Sequence, residues 1–483
     1  MADVTKRIGL SLGADICWPI AFEEILKRLD LAIPAGKDVV RFEVERVTIE
    51  PFDLRKPKRY DLVIDRLTHW YHPSREWIKK VLVLDDVYVF NNPWTIQAME
   101  KHTSYCAMMR LGLPIPETWL VPPKEYEPKP DLRPTLERYA RLFDLAQIGE
   151  QLGYPMYMKP YDGGGWVGVS RIENAAMLRA AYDQSGRHVM HLQRAVEPSD
   201  LFVRVIGLGP QVRTVLYDPS APLHDRYTMK RGFLDAADES LLADVVLTIN
   251  SFFGWDFNSC EALRGDAGVW HPIDFANPCP DSQVTSLHFH FPWLVKANLR
   301  WAIFCATLGR KKPTGVDWAP YFEIASTGAP YREKLRAYAA LAHRLYETDR
   351  FEEFCAEHLA HLDDVAHEFF GTDVAKDAIR KKVQALYPAH EVEKFTELFW
   401  ERVGKWRKEE SKTGAEALVP PHEIVPRAGA GKKVAPRAAA ASEAKPAAPG
   451  SEGKAAAPSA ESEPAAEAPR KTARRKSKAG TKA

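Results

Sequence analysis

The sequence predicts an α/β domain followed by an α+β core and a helical C-terminal region. Up to about residue 90, short apolar runs alternate with amphipathic helical patterns, which is typical of a largely parallel sheet covered by helices. Further along, apolar runs at 155–158 and 166–172, and again at 201–208 and 211–216, are separated by glycine-containing turns. Such spacing predicts antiparallel pairs. Beyond residue 292 only helical periodicity remains.

In the first 94 residues we predict strands at 7–12, 38–47, 60–67 and 87–90. Helices are predicted at 19–31 and 74–84, the second with Ser74 as its N-cap. These elements form the predicted α/β domain, residues 1–94.

The core is predicted to begin with a helix at 95–111, which ends where glycine and two prolines follow. The remaining strands and helices are predicted, in chain order, as a strand at 118–121, a helix at 135–152, the first antiparallel pair, a helix at 173–184, a strand at 188–196, the second pair, a helix at 234–253, and strands at 258–263 and 269–275. Helical patterns at 292–308 and 331–408 follow. We therefore place a core at 95–310 and a helical region at 311–410.

Composition limits the class of protein. The chain has 483 residues, is 45% hydrophobic and contains 13 tryptophans and 21 phenylalanines, enough for two or three packed domains. No apolar run reaches the ~18–20 residues of a membrane span, and no secretory signal precedes residue 8. Six widely separated cysteines without a Cys-x-x-Cys pair indicate reduced thiols and no zinc site. We expect a cytoplasmic protein without membrane contact.

The last part of the chain differs from the rest. Residues 427–483 hold 13 Lys and Arg against 5 Asp and Glu, whereas the remaining residues hold 53 against 60. From about residue 411 the composition is Ala, Pro, Lys, Glu and Ser, with too few apolar side chains to offset the entropy of ordering. We predict a disordered basic tail at 411–483. It is either a solubilising extension or a weak contact for nucleic acid or another polyanion.

A glycine loop separates the strands of the first pair. Lys159 precedes Asp162-Gly163-Gly164-Gly165, and glycines allow backbone N–H groups to approach an anion closely. A Walker loop is excluded because no Gly-Lys-Ser/Thr opens a helix. A dinucleotide fingerprint is excluded because another strand-like run follows the glycines. A hairpin that covers nucleotide phosphates remains, beside the alternative of a plain turn.

Taken in order, five segments resemble the ATP-grasp superfamily, in particular its glutamate-ligase-like branch of the ribosomal-protein glutamylase type. They are the helix with Lys101, the strand and loop from Lys159 to Gly165, the strand at 191–196, the strand at 201–207, and the segment from Glu261 to Pro278. The resemblance implies a pre-ATP-grasp domain before a two-lobed ATP-grasp core. It also implies an ATP site formed by Lys101, Lys159, Gly163, Gly164, Gly165, Gln193, Arg194, Val196 and, at the ribose, Asp200.

The resemblance further implies that Glu261, Asp274 and Asn277 hold Mg²⁺ or Mn²⁺, for which hard oxygen ligands are suited. The family usually separates its last acid and asparagine by one residue, as Glu-x-Asn. Here two residues separate Asp274 from Asn277, and the acid is shorter. A β-bulge in this strand would realign them.

The remaining candidates concern catalysis and substrate. Lys159 is also predicted to be catalytic, and Arg204 and Arg213 are candidates to steady a tetrahedral intermediate. Arg66 follows a predicted parallel strand, where it could hold a substrate carboxylate or be a surface arginine. His288 and His290 alternate along a predicted extended segment, and we interpret them as packing or surface residues because no third metal ligand has matching spacing.

The resemblance implies an enzyme that uses ATP to phosphorylate a small-molecule or peptide carboxylate. An amine or thiol then displaces phosphate from the acylphosphate, giving an amide-type bond, ADP and phosphate. Two other functions stay open: a small-molecule kinase of the same fold, and a non-catalytic ATP-binding protein whose tail engages nucleic acid.

Overall fold

The computed structural model of the protein describes residues 2–57, 59–68, 71–96, 101–162, 164, 166–410 and 418–422. The predicted disordered tail lies outside the described residues, apart from 418–422. Gly163 and Gly165 also lie outside them.

The N-terminal region is a five-stranded sheet with helices. Its elements are β1 (Ala2–Ser11), α1 (Cys17–Leu29), β2 (Ile33–Ala35), β3 (Asp38–Arg46), β4 (Leu62–Asp65), α2 (His72–Leu84) and β5 (Tyr88–Val89). The strand order is β2-β3-β1-β4-β5, and every neighbouring pair is parallel except β2 with β3. The predicted parallel character is therefore confirmed. Ser74 lies inside α2, which begins at His72, so the predicted cap is wrong.

The next nine elements build a four-stranded antiparallel sheet with its helices. They are α3 (Pro93–Ile96), α4 (Lys101–Arg110), β6 (Thr118–Val121), α5 (Leu132–Tyr139), α6 (Leu145–Leu152), β7 (Met156–Pro160), β8 (Ser170–Ile172), α7 (Ala175–Gln184) and β9 (Met190–Arg194). The strand order is β6-β9-β7-β8. The predicted hairpin is confirmed as β7 and β8, although its second strand is shorter than expected.

One predicted helix in this part is wrong. Residues 135–152 form α5 and α6 instead of one continuous helix. The side chain of Asp144 accepts hydrogen bonds from the backbone N–H groups of Ala146 and Gln147. This cap starts a new helix, because it satisfies N–H groups that a continuous helix would bond to preceding carbonyls.

A second antiparallel sheet follows. Its elements are β10 (Leu201–Leu208), β11 (Gln211–Leu216), α8 (Ala236–Phe253), β12 (Phe257–Arg264) and β13 (Trp270–Asp274), with the strands in the order β11-β10-β12-β13. The predicted pair at 201–208 and 211–216 is confirmed. Gly209 makes the tight turn between these strands with a φ of 55°. The apolar face of α8 packs under the sheet, with Val246 and Ile249 fully buried.

The remaining helices form the C-terminal region. They are α9 (Val284–Leu287), α10 (Phe291–Thr307), α11 (Ala319–Ala325), α12 (Tyr331–Tyr346), α13 (Thr348–His358), α14 (Leu362–Phe369), α15 (Asp373–Gln384) and α16 (Val392–Glu410). Every residue of α10 is buried, so this helix is central to the largest hydrophobic core. No helix among the described residues combines the length and apolar character needed to cross a bilayer. The domain boundaries at residues 94, 310 and 410 remain predictions.

His288 and His290 lie in a 3₁₀ turn between α9 and α10, so the predicted extended segment is wrong. Both side chains are buried. The Nδ1 atom of His288 accepts a hydrogen bond from the backbone N–H of Phe289 at 2.7 Å, and His290 Nε2 lies 2.8 Å from the Thr228 carbonyl oxygen. Both histidines therefore contribute to packing, as we interpreted them.

Candidate active site

A cavity of about 830 Å³ lies between the two antiparallel sheets. β7 and β9 line one side of it, and β10, β12 and β13 line the other. The charged and amide side chains that the sequence singled out on its wall are Lys101, Lys159, Gln193, Arg194, Arg204, Glu261, Asp274 and Asn277. Gly164 and Val196 line it as well. Residues that are up to 176 positions apart in the sequence thus meet in one place.

Lys159 connects the two sheets. Its Nζ atom donates to the side-chain oxygen of Gln193 on the neighbouring strand β9 at 2.7 Å. It also donates to the carbonyl oxygen of Ile273 on β13 of the other sheet at 3.1 Å. Burial lowers the pKa of Lys159 to about 8, although the nearby Asp274 carboxylate favours the charged form. The ammonium is therefore held at the bottom of the cavity between two fixed oxygens.

Glu261 on β12 lies opposite Asp274 on β13 because of a β-bulge. The ladder pairs Glu261 with Asp274 and Ala262 with Pro272, which leaves Ile273 as an extra residue in β13. This bulge precedes Asp274 and does not lie between Asp274 and Asn277, so the realignment of those two residues stays a prediction. The Asn277 Nδ2 atom lies 3.4 Å from Asp274 Oδ1, and Lys101 Nζ lies 3.5 Å from Asp274 Oδ2.

The electrostatics of this cluster favour a cation. Burial raises the pKa of Glu261, and the neighbouring Asp274 carboxylate adds to this rise. Arg204 opposes the rise through an ion pair with Glu261, and it donates a second hydrogen bond to the Tyr227 hydroxyl at 2.7 Å. Two carboxylates and an amide at this position are hard ligands that fit Mg²⁺ or Mn²⁺, which would relieve the repulsion between the acids.

Several known ligases match part of this chain. A comparison with family models finds no match. D-alanine–D-alanine ligase from Dechloromonas aromatica is 33% identical over 142 residues, which are 27% of this chain and 47% of that protein. D-alanine–D-alanine ligase A from Chromobacterium violaceum is 41% identical over 66 residues, 13% of this chain and 18% of that protein. The chain thus spans less than half the length of these relatives.

These matches agree with the resemblance that the sequence motifs predicted and with the two sheets that enclose the lysines and carboxylates. Over the matched part of its length, the chain is similar to ligases of the ATP-grasp superfamily. Among solved ATP-grasp-like structures, D-alanine–D-alanine ligase from Bacillus anthracis complexed with ATP has a TM-score of 0.41 at 13% identity, covering 71% of this chain and 99% of that chain. A RimK domain ATP-grasp protein from Sphaerobacter thermophilus has a TM-score of 0.39 at 14% identity, covering 57% and 92%.

Three predicted ATP-grasp site residues, all within the described part of the chain, lie off the cavity wall. The Asp200 carboxylate is paired with Arg264, whose Nε atom lies 2.9 Å from Asp200 Oδ1. Arg213 is buried, with its guanidinium carbon 5.6 Å from the centre of the Trp293 ring. The roles proposed for Asp200 and Arg213 remain predictions.

Arg66 is the third of these residues. It is only 5% exposed, so the alternative of a surface arginine is wrong. Its Nε atom donates to Asp15 at 3.0 Å and its Nη2 atom donates to the Pro280 carbonyl oxygen at 3.0 Å. The guanidinium therefore joins the N-terminal sheet to the segment that follows Asn277. Its predicted contact with a substrate carboxylate remains untested.

Two tyrosines beside the lysines and acids of the cavity were not predicted from the sequence. The Tyr105 hydroxyl donates to the Ile273 carbonyl oxygen at 2.8 Å, the same oxygen that Lys159 contacts. Tyr105 follows Lys101 by four residues on α4, so helical spacing was a usable signal. Tyr227 lies in a loop after β11, and no local pattern in the sequence indicated that it would meet Arg204.

Proposed function

We propose that the protein is an ATP-dependent ligase that joins a carboxylate to an amine or thiol through an acylphosphate. The observation that carries this proposal is the convergence of two lysines and two carboxylates on one cavity, which Asp162 and Gly164 also line. Phosphoryl transfer needs positive charge on the phosphate oxygens together with a divalent metal, and this cavity offers groups for both. The names of the matched relatives, D-alanine–D-alanine ligases, support the same reaction class.

In this proposal ATP enters with its adenine against the β9 end of the cavity, where Val196, Phe202 and Leu263 provide apolar walls. Its phosphates extend towards Lys101 and Lys159. These lysines neutralise phosphate charge and fix the position of the terminal phosphorus, so they act through binding and orientation.

Glu261, Asp274 and Asn277 would hold the divalent ion. When bound, Mg²⁺ or Mn²⁺ neutralises charge on the β- and γ-phosphates. Asn277 donates its Nδ2 proton to the Ser259 carbonyl oxygen at 3.2 Å, which fixes the orientation of its amide. The fit of the site rests on this set of oxygens and on the repulsion between the buried Glu261 and the partly exposed Asp274.

The reaction would proceed in two steps. A substrate carboxylate oxygen forms a bond to the γ-phosphorus and ADP leaves. The amine then attacks the acyl carbon, the carbon–nitrogen bond forms, and phosphate departs while the amine loses a proton. Arg204 is the candidate to stabilise the oxyanion of the second step, because it lines the cavity beside Glu261. Arg213, packed against Trp293, has less structural support for that role.

Hydroxylamine trapping tests this proposal. With MgATP and a panel of carboxylic acids, a ligase forms the hydroxamate of its substrate acid, whereas a kinase that acts on hydroxyl groups forms none. Lys159→Met should abolish hydroxamate formation. The ligase proposal would be refuted if the protein binds MgATP but yields neither hydroxamate nor ADP with any acid. That result would favour a non-catalytic ATP-binding protein.

A further inference from the structure

The cavity continues past the proposed ATP site towards the C-terminal helices. Across the second sheet, Asp274 and Glu261 belong to β13 and β12, Arg204 belongs to β10, and β11 forms the far edge. The lysines and acids therefore occupy one end of the cavity. The other end lies beyond Arg204, at the loop that follows β11 and at the connection between α15 and α16.

Residues 218–226, here called the 218–226 loop, form one wall of the cavity at the end that lies beyond Arg204. Tyr217 and Tyr227 form an antiparallel bridge at its base, and the backbone N–H of Asp218 donates to the Arg226 carbonyl oxygen at 2.8 Å. Leu223, His224 and Arg226 of the loop line the cavity. The loop is thus closed at its base by backbone bonds and presents its side chains to the cavity.

Helix α16 holds the 218–226 loop in place. Arg402 of α16 donates to the His224 carbonyl oxygen and to the Asp225 carboxylate. The His224 ring packs edge-on against Phe395 of α16, with 5.2 Å between the ring centres. The helical region therefore fixes the position of this wall, although it is distant in the sequence.

The helical region also supplies a wall directly, through Leu386 and Tyr387 between α15 and α16. The Tyr387 ring lies 4.1 Å from the Phe395 ring. Leu386 is 56% exposed and Leu223 is 73% exposed. Together these side chains offer an apolar surface on the cavity wall that an apolar group of a ligand could cover.

The charges at this end favour an anionic group. Arg226 lines the cavity, and its Nε atom donates to the Ala221 carbonyl oxygen at 3.2 Å. Its two terminal nitrogens make no hydrogen bond to any described residue. The acid beside Arg226 is Asp218 of the same loop, and its carboxylate already accepts hydrogen bonds from the backbone N–H and the hydroxyl of Ser220. A carboxylate of the ligand could therefore form a bidentate pair with Arg226.

We propose that this end of the cavity binds the amine substrate, and that this substrate is an α-amino acid with a bulky apolar side chain. The side chain lies against Leu223, Leu386 and Tyr387, and the carboxylate pairs with Arg226. The amino group attacks the acylphosphate carbon; a carbon–nitrogen bond forms, phosphate leaves with the carbon–oxygen electron pair, and the amine releases a proton. This inference rests on the ligase function proposed above.

Thermal unfolding of the full chain tests the inference. With Mg²⁺ and a non-hydrolysable ATP analogue, the unfolding midpoint should rise. Addition of leucine or phenylalanine, in both enantiomers, should raise it further for at least one of them. Glycine, glutamate and phenethylamine should add nothing, because they lack the apolar side chain, carry a second charge, or lack the carboxylate.

Matched variants locate the binding. Leu386→Asn and Arg226→Gln should keep the shift caused by the analogue and weaken the apparent affinity for the apolar amino acid by at least about tenfold. Leu345→Asn, an exposed leucine on α12, is the control and should behave as wild type. The inference is overturned if no apolar amino acid adds a shift, if glutamate adds an equal one, or if both variants bind normally. A missing shift with the analogue alone would refute the ATP site itself.

Discussion

Lys159 on one sheet and Ile273 on the other are joined by a hydrogen bond of 3.1 Å from the lysine ammonium to the backbone carbonyl oxygen. Each group has a second hydrogen-bond partner. The side-chain oxygen of Gln193 accepts a hydrogen bond from Lys159, and the Tyr105 hydroxyl donates one to the Ile273 carbonyl oxygen. The ammonium thus has a fixed position before any ligand arrives. Such preorganisation reduces the cost of binding an anion.

Lys159→Met should remove most of the stabilisation that MgATP confers. At about one hundred times its dissociation constant, a ligand adds ~2.7 kcal/mol to the free energy of unfolding. We expect that gain in the wild type and little of it in the variant. Lys124→Met is the control, because Lys124 is exposed and paired with Asp183 at the surface. Denaturant titration with and without MgATP measures both, and an equal gain in both variants would contradict the assignment of Lys159.

Asp274→Asn should separate stability from ligand binding. Without ligand, the stability should change little, because the loss of repulsion with Glu261 is offset by the loss of the ion pair with Lys101. With ligand, the MgATP dissociation constant should rise at least about tenfold, which is ~1.4 kcal/mol. Asp266→Asn, in the exposed turn of the same hairpin, should change neither quantity. Isothermal titration calorimetry measures the MgATP dissociation constant of both variants. An unchanged dissociation constant in Asp274→Asn would exclude Asp274 as a metal ligand.

Gly209→Ala should destabilise the protein more than Gly232→Ala. Both glycines have positive φ values, 55° and 61°, so each substitution places alanine in a left-handed conformation at a cost of ~1 kcal/mol. Only at Gly209 would the new Cβ lie 2.5 Å from the Trp301 ring, and overpacking adds ~1–3 kcal/mol. Urea unfolding of the two variants measures the difference. Equal losses would mean that Trp301 moves aside without cost.

Acid should destabilise the fold below about pH 6.5. Burial lowers the pKa of His288 to about 3, so the folded protein holds this side chain neutral while the unfolded chain protonates it. Its contribution is therefore complete above the unfolded pKa and declines as pH falls towards 3, by ~1.4 kcal/mol per pH unit. His288→Asn keeps a hydrogen-bond acceptor for Phe289 and should flatten the curve by that slope. Denaturant titrations from pH 7 to 4 measure the free energy of unfolding, and His361→Asn, at an exposed position, is the control. The prediction is wrong if the slope of this free energy against pH is the same in His288→Asn as in wild type.

Local patterns predicted the parts of this fold that depend on local interactions. The hairpin of β7 and β8 and the pair of β10 and β11 followed from apolar runs separated by glycines. The break between α5 and α6 was also present in the sequence as a capping aspartate, Asp144, but a continuous helical pattern hid it. The lysines and acids of the candidate site came from motif order, since spacing alone cannot bring distant strands together.

Long-range contacts account for what the sequence did not predict. Asp200 meets Arg264, which is 64 residues away, and Arg66 meets Asp15, which is 51 residues away. Whether a charged side chain faces a cavity or a partner depends on such pairings. Likewise, amphipathic periodicity indicated that α16 buries one face, but it could not indicate that Arg402 binds the 218–226 loop.

The bulge at Ile273 has a consequence for how this site tolerates change in chain length. Side chains alternate between the faces of a strand, so deletion of one residue here would turn Asp274 away from Glu261 while every residue type at the site stayed the same. Point substitutions that keep charge and size are a milder perturbation. In a relative whose strand is one residue shorter, the residues that correspond to Asp274 and Asn277 would need a different spacing in the sequence. Only then would they occupy the same positions opposite Glu261.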